Sequence, residues 1–249
     1  MIECENLAEA LTSSINEAFE VADSLFQNKF GELSKQCGST AVVCLLIGNK
    51  LVCANLGDAR AVLSRHGRYV ELSQDFKASR KDEQDRIKGQ GGYIVFGRVL
   101  GRLAVTRAFG DFECKQIAVK NEETQEKDLR NFVLCVPEIR VTTLDRTRDE
   151  FFILASDGLF DRFSSEETIN LARQRFVQSE VMEQDPYEVA RCLIAESVGA
   201  RVNSDNTTAV IVALNLGIED LKGEQKQPSA PATKSRAADP FANFAESNF

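Results

Sequence analysis

Two apolar runs separated by the tight-turn segment G-N-K at residues 48–50 limit most strongly what this chain can fold into. S-T-A-V-V-C-L-L-I before the turn reads as a buried strand, and L-V-C-A-N-L after it as the return strand. A second pair, R-A-V-L-S-R and R-Y-V-E-L, flanks a turn at His66-Gly67. Strands joined by such short turns run antiparallel, because a parallel return needs a crossover of a dozen or more residues. The spacing predicts antiparallel meanders, not βαβ units.

Helices frame this β-rich centre. From about Glu5 to Phe30 apolar residues recur at helical spacing (Leu7, Leu11, Ile15, Phe19, Ala22 and Phe26), which predicts an amphipathic helix covering a sheet. Arg80 to Lys88 suggests a short helix ending at the glycines of G-Q-G-G. Tyr93 to Leu100 suggests a mobile flap or small hairpin, and further strands are expected around Phe132–Val136 and Phe151–Ala155. Ser164 with Glu167 forms a capping box opening a helix with Ile169, Ala172 and Phe176 on one face. Asp185, Pro186 and Glu188 open another helix, with Val189, Leu193 and Ile194 inward, and T-T-A-V-I-V-A-L closes the core as a last strand. The hydrophobic pattern stops near Gly217, so residues 1–216 are expected to form one domain and 217–249 a disordered tail rich in Pro, Ala, Ser and Lys.

Composition narrows the function classes. A net charge of −8 gives nucleic acid or an anionic membrane no complementary surface. No apolar stretch approaches the length of a bilayer span, and the first residues lack the basic and apolar regions of a signal peptide. The seven cysteines are scattered without a C-x-x-C, and Cys44, Cys53 and Cys135 lie inside apolar runs, where cysteine acts as a small hydrophobe. The expectation is a reduced protein of the cytoplasm, possible in the nucleus as well.

Chemistry is suggested by four aspartates at the ends of apolar runs: Asp111 in L-A-V-T-R-A-F-G-D, Asp157 and Asp161 in F-F-I-L-A-S-D-G-L-F-D, and Asp205 in S-D-N-T-T-A-V-I-V. Strands that end in carboxylates put oxygen ligands on the rim of a sheet, and converging rims suit hard divalent cations such as Mg²⁺ or Mn²⁺. Two such ions can position a hydroxide and clamp a phosphate without covalent chemistry by the protein. Other phosphatase designs are excluded by counting. No cysteine is followed six residues later by arginine, one histidine cannot furnish an imidazole-ligated binuclear site, and the aspartate pair is D-x-x-x-D rather than D-x-D. An all-carboxylate, metal-dependent hydrolase survives.

In order along the chain, G-S-T-A-V-V, A-N-L-G-D-A-R-A-V-L, L-S-Q-D-F-K, R-I-K-G-Q-G-G, G-R-L-A-V-T-R-A-F-G-D, P-E-I-R-V, F-I-L-A-S-D-G-L-F-D and S-D-N-T-T-A-V-I-V resemble the metal-dependent serine/threonine protein phosphatases of the PPM type (protein phosphatase 2C). The resemblance runs from Gly38 to about Leu214. It implies an α+β fold of two packed antiparallel β-sheets flanked by helices on both sides, Mg²⁺ or Mn²⁺ as cofactor, and phosphoserine or phosphothreonine proteins as substrates. It also implies metal ligation by Asp157 and Asp205, with Asp111 and Asp161 completing a third-ion site. Beside them, Gly158 would let the backbone turn tightly and Asn206 would orient Asp205. Asp58, in L-G-D-A-R, reads as a turn residue, and His66 as a hairpin residue.

The family pattern is incomplete. Family members carry, ahead of the first helix here, an arginine that holds phosphate, an acidic pair and a D-G-H-G-G whose aspartate bridges two metals and whose histidine serves as general acid. Met1 follows that point, so the fold is expected to be N-terminally incomplete. Phe76 also stands where the family D-H-K has histidine. Three accounts fit: a fragment or truncated gene model of an active phosphatase, a shortened form that needs a partner, or a pseudophosphatase acting as a binding module. Finally, A-D-P-F-A-N-F followed by E-S-N-F places Phe241, Phe244 and Phe249 in a polar tail, which resembles short peptides that dock on endocytic adaptor appendages.

Overall fold

The computed structural model describes residues 2–120, 127–178, 185–199 and 205–214. The expected tail from residue 217, with Phe241, Phe244 and Phe249, lies outside the described residues. In chain order the first elements are helix α1 (Ile2–Phe30) and strands β1 (Gly38–Ser39), β2 (Ala41–Ile47), β3 (Lys50–Leu56), β4 (Arg60–Arg65) and β5 (Arg68–Glu71). Helix α2 (Lys81–Gly89) and strands β6 (Ile94–Val95), β7 (Arg98–Val99), β8 (Phe109–Gly110), β9 (Ile117–Lys120), β10 (Lys127–Arg130), β11 (Glu138–Thr143) and β12 (Asp149–Ala155) follow. Helices α3 (Asp157–Phe160), α4 (Ser165–Gln178) and α5 (Pro186–Gly199) and strand β13 (Ala209–Ala213) complete them.

Two antiparallel sheets form the body, one in the order β11-β3-β2 and one in the order β13-β12-β4-β5. Strand alternation assigns each face its partner. Leu51 and Cys53 of β3 meet Ala61 and Leu63 of β4 and Phe152 of β12 between the sheets. On the opposite face of the four-stranded sheet, Val62, Phe151, Ile153 and Ala155 pack against Leu159, Phe160, Ile169, Phe176 and Leu193 of α3, α4 and α5. On the outer face of the three-stranded sheet, Ala54 and Leu56 pack on Phe19 and Ile15 of α1. β4 and β12 are therefore buried on both faces, which explains their unbroken apolar runs. The two-sheet, helix-covered fold expected from the resemblance is the observed one.

Both short turns form as read. Ile47 pairs with Lys50 across Gly48-Asn49, where Gly48 takes φ +61°, and Arg65 pairs with Arg68 across His66-Gly67, both at positive φ. The capping box forms in full: the Ser164 N–H donates to Glu167 Oε2 at 2.9 Å, and the Glu167 N–H donates to Ser164 Oγ at 3.2 Å. Asp185 caps α5 by accepting the Tyr187 N–H at 2.9 Å.

Two expectations need correction, and the flap-or-hairpin alternative resolves to the hairpin. Residues 132–136 form no strand; a single bridge joins Leu134 to Arg107, while the strand lies at 138–143 and pairs with β3. Pro137 lacks an N–H for a ladder, and the chain enters β11 directly after it. Tyr93 to Leu100 is a small hairpin, β6-β7. On α1 the buried face includes Asp23, whose carboxylate pairs with Lys115 at 2.6 Å and accepts the Gly110 N–H at 2.7 Å, whereas Ala22 is exposed.

Candidate metal centre

Sheet register gathers the acidic residues. In the four-stranded sheet Ala155 of β12 pairs on one side with Arg60 of β4 and on the other with Ala209 of β13. The C-terminal end of β12 and the N-terminal ends of both neighbours thus share one rim. Asp157 lies two residues beyond Ala155, Asp58 two before Arg60 and Asp205 four before Ala209, so all three emerge at that rim. Asp161 follows Asp157 by one helical turn, its N–H donating to the Asp157 carbonyl at 2.7 Å.

The electrostatics record this proximity. Burial pushes the Asp58 carboxyl up to about 6, and the negative charge of Asp157 adds to the rise. Burial likewise raises Asp157, reinforced by the charges of Asp161 and Asp205. Lys77 is the cation among them, with Nζ 2.6 Å from Asp161 Oδ1. Burial works against the lysine's charge, but the bond to Asp161 and the charges of Asp161, Asp75 and Asp58 hold its pKa above the ordinary value. Asp75 itself is clamped by Arg60 through two bonds of 2.8 and 2.7 Å.

Close packing positions the aspartates. Ser156 joins β12 to the lead-in of β13: its N–H donates to the Thr208 carbonyl at 3.0 Å, and its Oγ accepts the Thr208 N–H at 3.1 Å. Gly158 is required by space rather than by an unusual backbone angle. A Cβ there would lie 2.6 Å from Thr207 Oγ1 and 2.7 Å from the Asn206 carbonyl oxygen. The backbone N–H of Asn206 donates to Asp205 Oδ1 at 2.7 Å.

Asp111 follows a different ladder. It directly follows β8, which among the described residues pairs with β1, and it sits at φ +51° with its N–H donating to the Cys37 carbonyl at 2.9 Å. Burial raises its carboxyl, and the charges acting on it are Lys115, Glu113 and Asp23, not the rim aspartates. Asp58 stands at the rim instead. The one sequence signal for it was its position two residues ahead of a strand, a signal that becomes decisive only once β4 is known to pair with β12.

The donor set agrees in kind with a hard divalent cation: every donor is a carboxylate oxygen, and negative charge exceeds the single lysine. Among the described residues, no three His, Cys, Asp or Glu side chains already form a cage for a metal ion, and Lys77 holds one of the carboxylates.

Beside the rim, Phe76 is fully buried with two guanidinium groups packed over its ring, Arg80 at 4.2 Å and Arg107 at 3.8 Å from the ring centroid. Arg107 also pairs with Glu83 at 2.9 Å, and Arg102 with Glu113 at 2.9 Å. Both arginines are thus engaged in ion pairs.

The sequence model of the family described as Protein phosphatase 2C matches residues 3–207. The chain belongs to the protein phosphatase 2C family. "Probable protein phosphatase 2C 69" of Arabidopsis thaliana is 36% identical over 203 residues, covering 80% of this chain and 50% of that protein. "Probable protein phosphatase 2C 45" of Oryza sativa subsp. japonica is 38% identical over 202 residues, covering 80% of this chain and 62% of that protein. The chain thus spans between half and two thirds of the length of these two relatives. The fold recurs in a C. elegans sex determining protein, with TM-score 0.68 and 23% identity over 83% of this chain and 48% of that one. It recurs also in serine-threonine phosphatase 2C from Toxoplasma gondii, with TM-score 0.65 and 22% identity over 85% of this chain and 69% of that one.

Proposed function

We propose that this protein phosphatase 2C chain carries most of a Mg²⁺- or Mn²⁺-dependent protein serine/threonine phosphatase that hydrolyses phosphoserine and phosphothreonine. One observation carries the reading: Asp58, Asp157, Asp161 and Asp205 crowd one sheet rim, with Lys77 the cation named among them. Asp157 and Asp205, with Asp161 and Asp58, would hold the cations, and Asp58 takes the place that the motif reading gave to Asp111. A divalent cation there would acidify a water and neutralise phosphate charge. The chain's own residues do the positioning: the Asn206 N–H fixes Asp205, and Gly158 lets the Asp205 segment lie against α3. The partner would be a phosphoprotein held mainly through its phosphate on a bound cation, and a cytoplasmic or nuclear setting fits the thiols that are free among the described residues.

A second reading is a catalytically weak or inactive pseudophosphatase that binds phosphoproteins. The chain's single histidine, His66, lies in the β4-β5 turn at the opposite end of β4 from the rim, and the Phe76 ring is sealed in the core. Neither offers an imidazole acid to a leaving group. Release of phosphate from a phosphothreonine peptide, measured with Mn²⁺ and with chelator, separates the two. The enzyme reading expects Mn²⁺-dependent release that Asp157→Asn abolishes. Peptide binding without release, unchanged in Asp157→Asn, supports the second reading and defeats the first.

A further inference from the structure

Cys44 and Cys53 face each other across the β2-β3 ladder as direct partners. Counting from the two-residue turn, Ile47 and Lys50 form the closing pair, followed by Leu46–Leu51, Leu45–Val52 and then Cys44–Cys53. Hydrogen-bonded and non-hydrogen-bonded pairs alternate along an antiparallel ladder, and a pair closing a two-residue turn is of the bonded kind. The cysteines therefore occupy a non-hydrogen-bonded site, where side chains approach most closely. The Cα separation usual there, about 4.5 Å, lies within the range a disulfide spans. Their side chains pack in the same cluster between the two sheets.

The two thiols differ in access. Cys53 is buried between the sheets, at 1% exposure, while Cys44 lies on the edge strand of the three-stranded sheet and is partly exposed. We propose that Cys44 and Cys53 form a peroxide-responsive dithiol site that closes to an intramolecular disulfide. The Cys44 thiolate attacks one peroxide oxygen; the O–O bond breaks, giving Cys44 sulfenic acid and water after proton uptake. The Cys53 sulfur then displaces the sulfenic oxygen as a second water, forming the S–S bond. Two thiols are oxidised and one peroxide is reduced to two waters. The neighbouring Cys53 thiol holds the Cys44 thiol below its ordinary pKa, consistent with Cys44 attacking first, whereas Cys53 is pushed above it by Cys44 and by burial. The product would tie an edge strand to β3, whose chain continues directly to Asp58. The inference is independent of phosphatase activity.

The test uses full-length protein with the exposed Cys37 replaced, Cys37→Ser, so that it cannot compete. The reduced protein is treated with limiting hydrogen peroxide, alkylated, digested without reductant and analysed by mass spectrometry. The expected product joins the peptides containing Cys44 and Cys53, two hydrogens lighter than their sum, with both thiols lost together before Cys114. In Cys53→Ala, dimedone should trap a sulfenic acid on Cys44. Persistence of both as free thiols while other cysteines oxidise, or oxidation of Cys44 to sulfinic acid without linkage, overturns the proposal. The parent protein alone decides this, whether or not the Cys53 variant folds.

Discussion

Lys77 Nζ lies 2.6 Å from Asp161 Oδ1, placing a single ammonium where the carboxylates of Asp58 and Asp157 also feel it. Lysine and a divalent cation compete for the same negative charge. Lys77→Met should therefore raise the stabilisation that Mn²⁺ gives to the fold. In chelator the loss should be small, below about 1 kcal/mol, because both partners are partly exposed. Thermal unfolding with and without Mn²⁺ measures both effects, and an unchanged Mn²⁺ response would remove Lys77 from the site.

Gly158 faces a wall formed by Thr207 and the Asn206 carbonyl, both within 2.7 Å of where a Cβ would stand. Because the obstructing oxygen is backbone, Gly158→Ala must displace the segment carrying Asp205. A destabilisation of roughly 1–3 kcal/mol is expected in urea unfolding. Mn²⁺ affinity, measured by calorimetry, should fall with it.

Phe76 fills the position where the related family motif has histidine, yet it is fully buried with the guanidinium groups of Arg80 and Arg107 packed over its ring. Phe76→Ala should cost about 3–5 kcal/mol through the cavity alone. Phe76→His should lose less stability than Phe76→Ala and should add no phosphatase activity, since the site for that ring is the core. Denaturant unfolding with a parallel phosphopeptide assay tests both statements.

Glu83 gives the fold a pH dependence. Burial alone would raise its carboxyl, but Arg107 and Arg86 bring it down to about 2, below the ordinary 4.5. Between these values the unfolded chain binds the extra proton. The stability from this group is therefore complete above pH 4.5 and is lost as pH falls toward 2. The loss should be on the order of 3 kcal/mol. Glu83→Gln should flatten this part of the stability–pH curve, and a slope equal to that of the parent would assign the acid sensitivity elsewhere.

Much of the architecture was legible in short-range signals. Turn chemistry at Gly48-Asn49 and His66-Gly67, the Ser164–Glu167 capping box and the Asp185 cap all act within a few residues, so the sequence carries them explicitly. The strand at 138–143 was missed because the apolar Phe132–Val136 run just before Pro137 carried the stronger hydrophobic signal. Phe132 and Val133 are buried instead in a side cluster with Ile87 and Val99, while Val136 is exposed. Strands β9 and β10 are four residues each, and three of the four in β10 are charged, so neither carried a pattern long enough to follow.

The sequence by itself determined that carboxylates would sit at strand ends, that the strands would be antiparallel and that the family pattern would cover most of the chain. Which carboxylates share a site was decided only by the register of β4, β12 and β13. Pairing Ala155 with both Arg60 and Ala209 brings Asp58 beside Asp157, while Asp111 follows the separate β1-β8 pair. Register is fixed by burial on two faces of a sheet, a long-range property that no single motif contains.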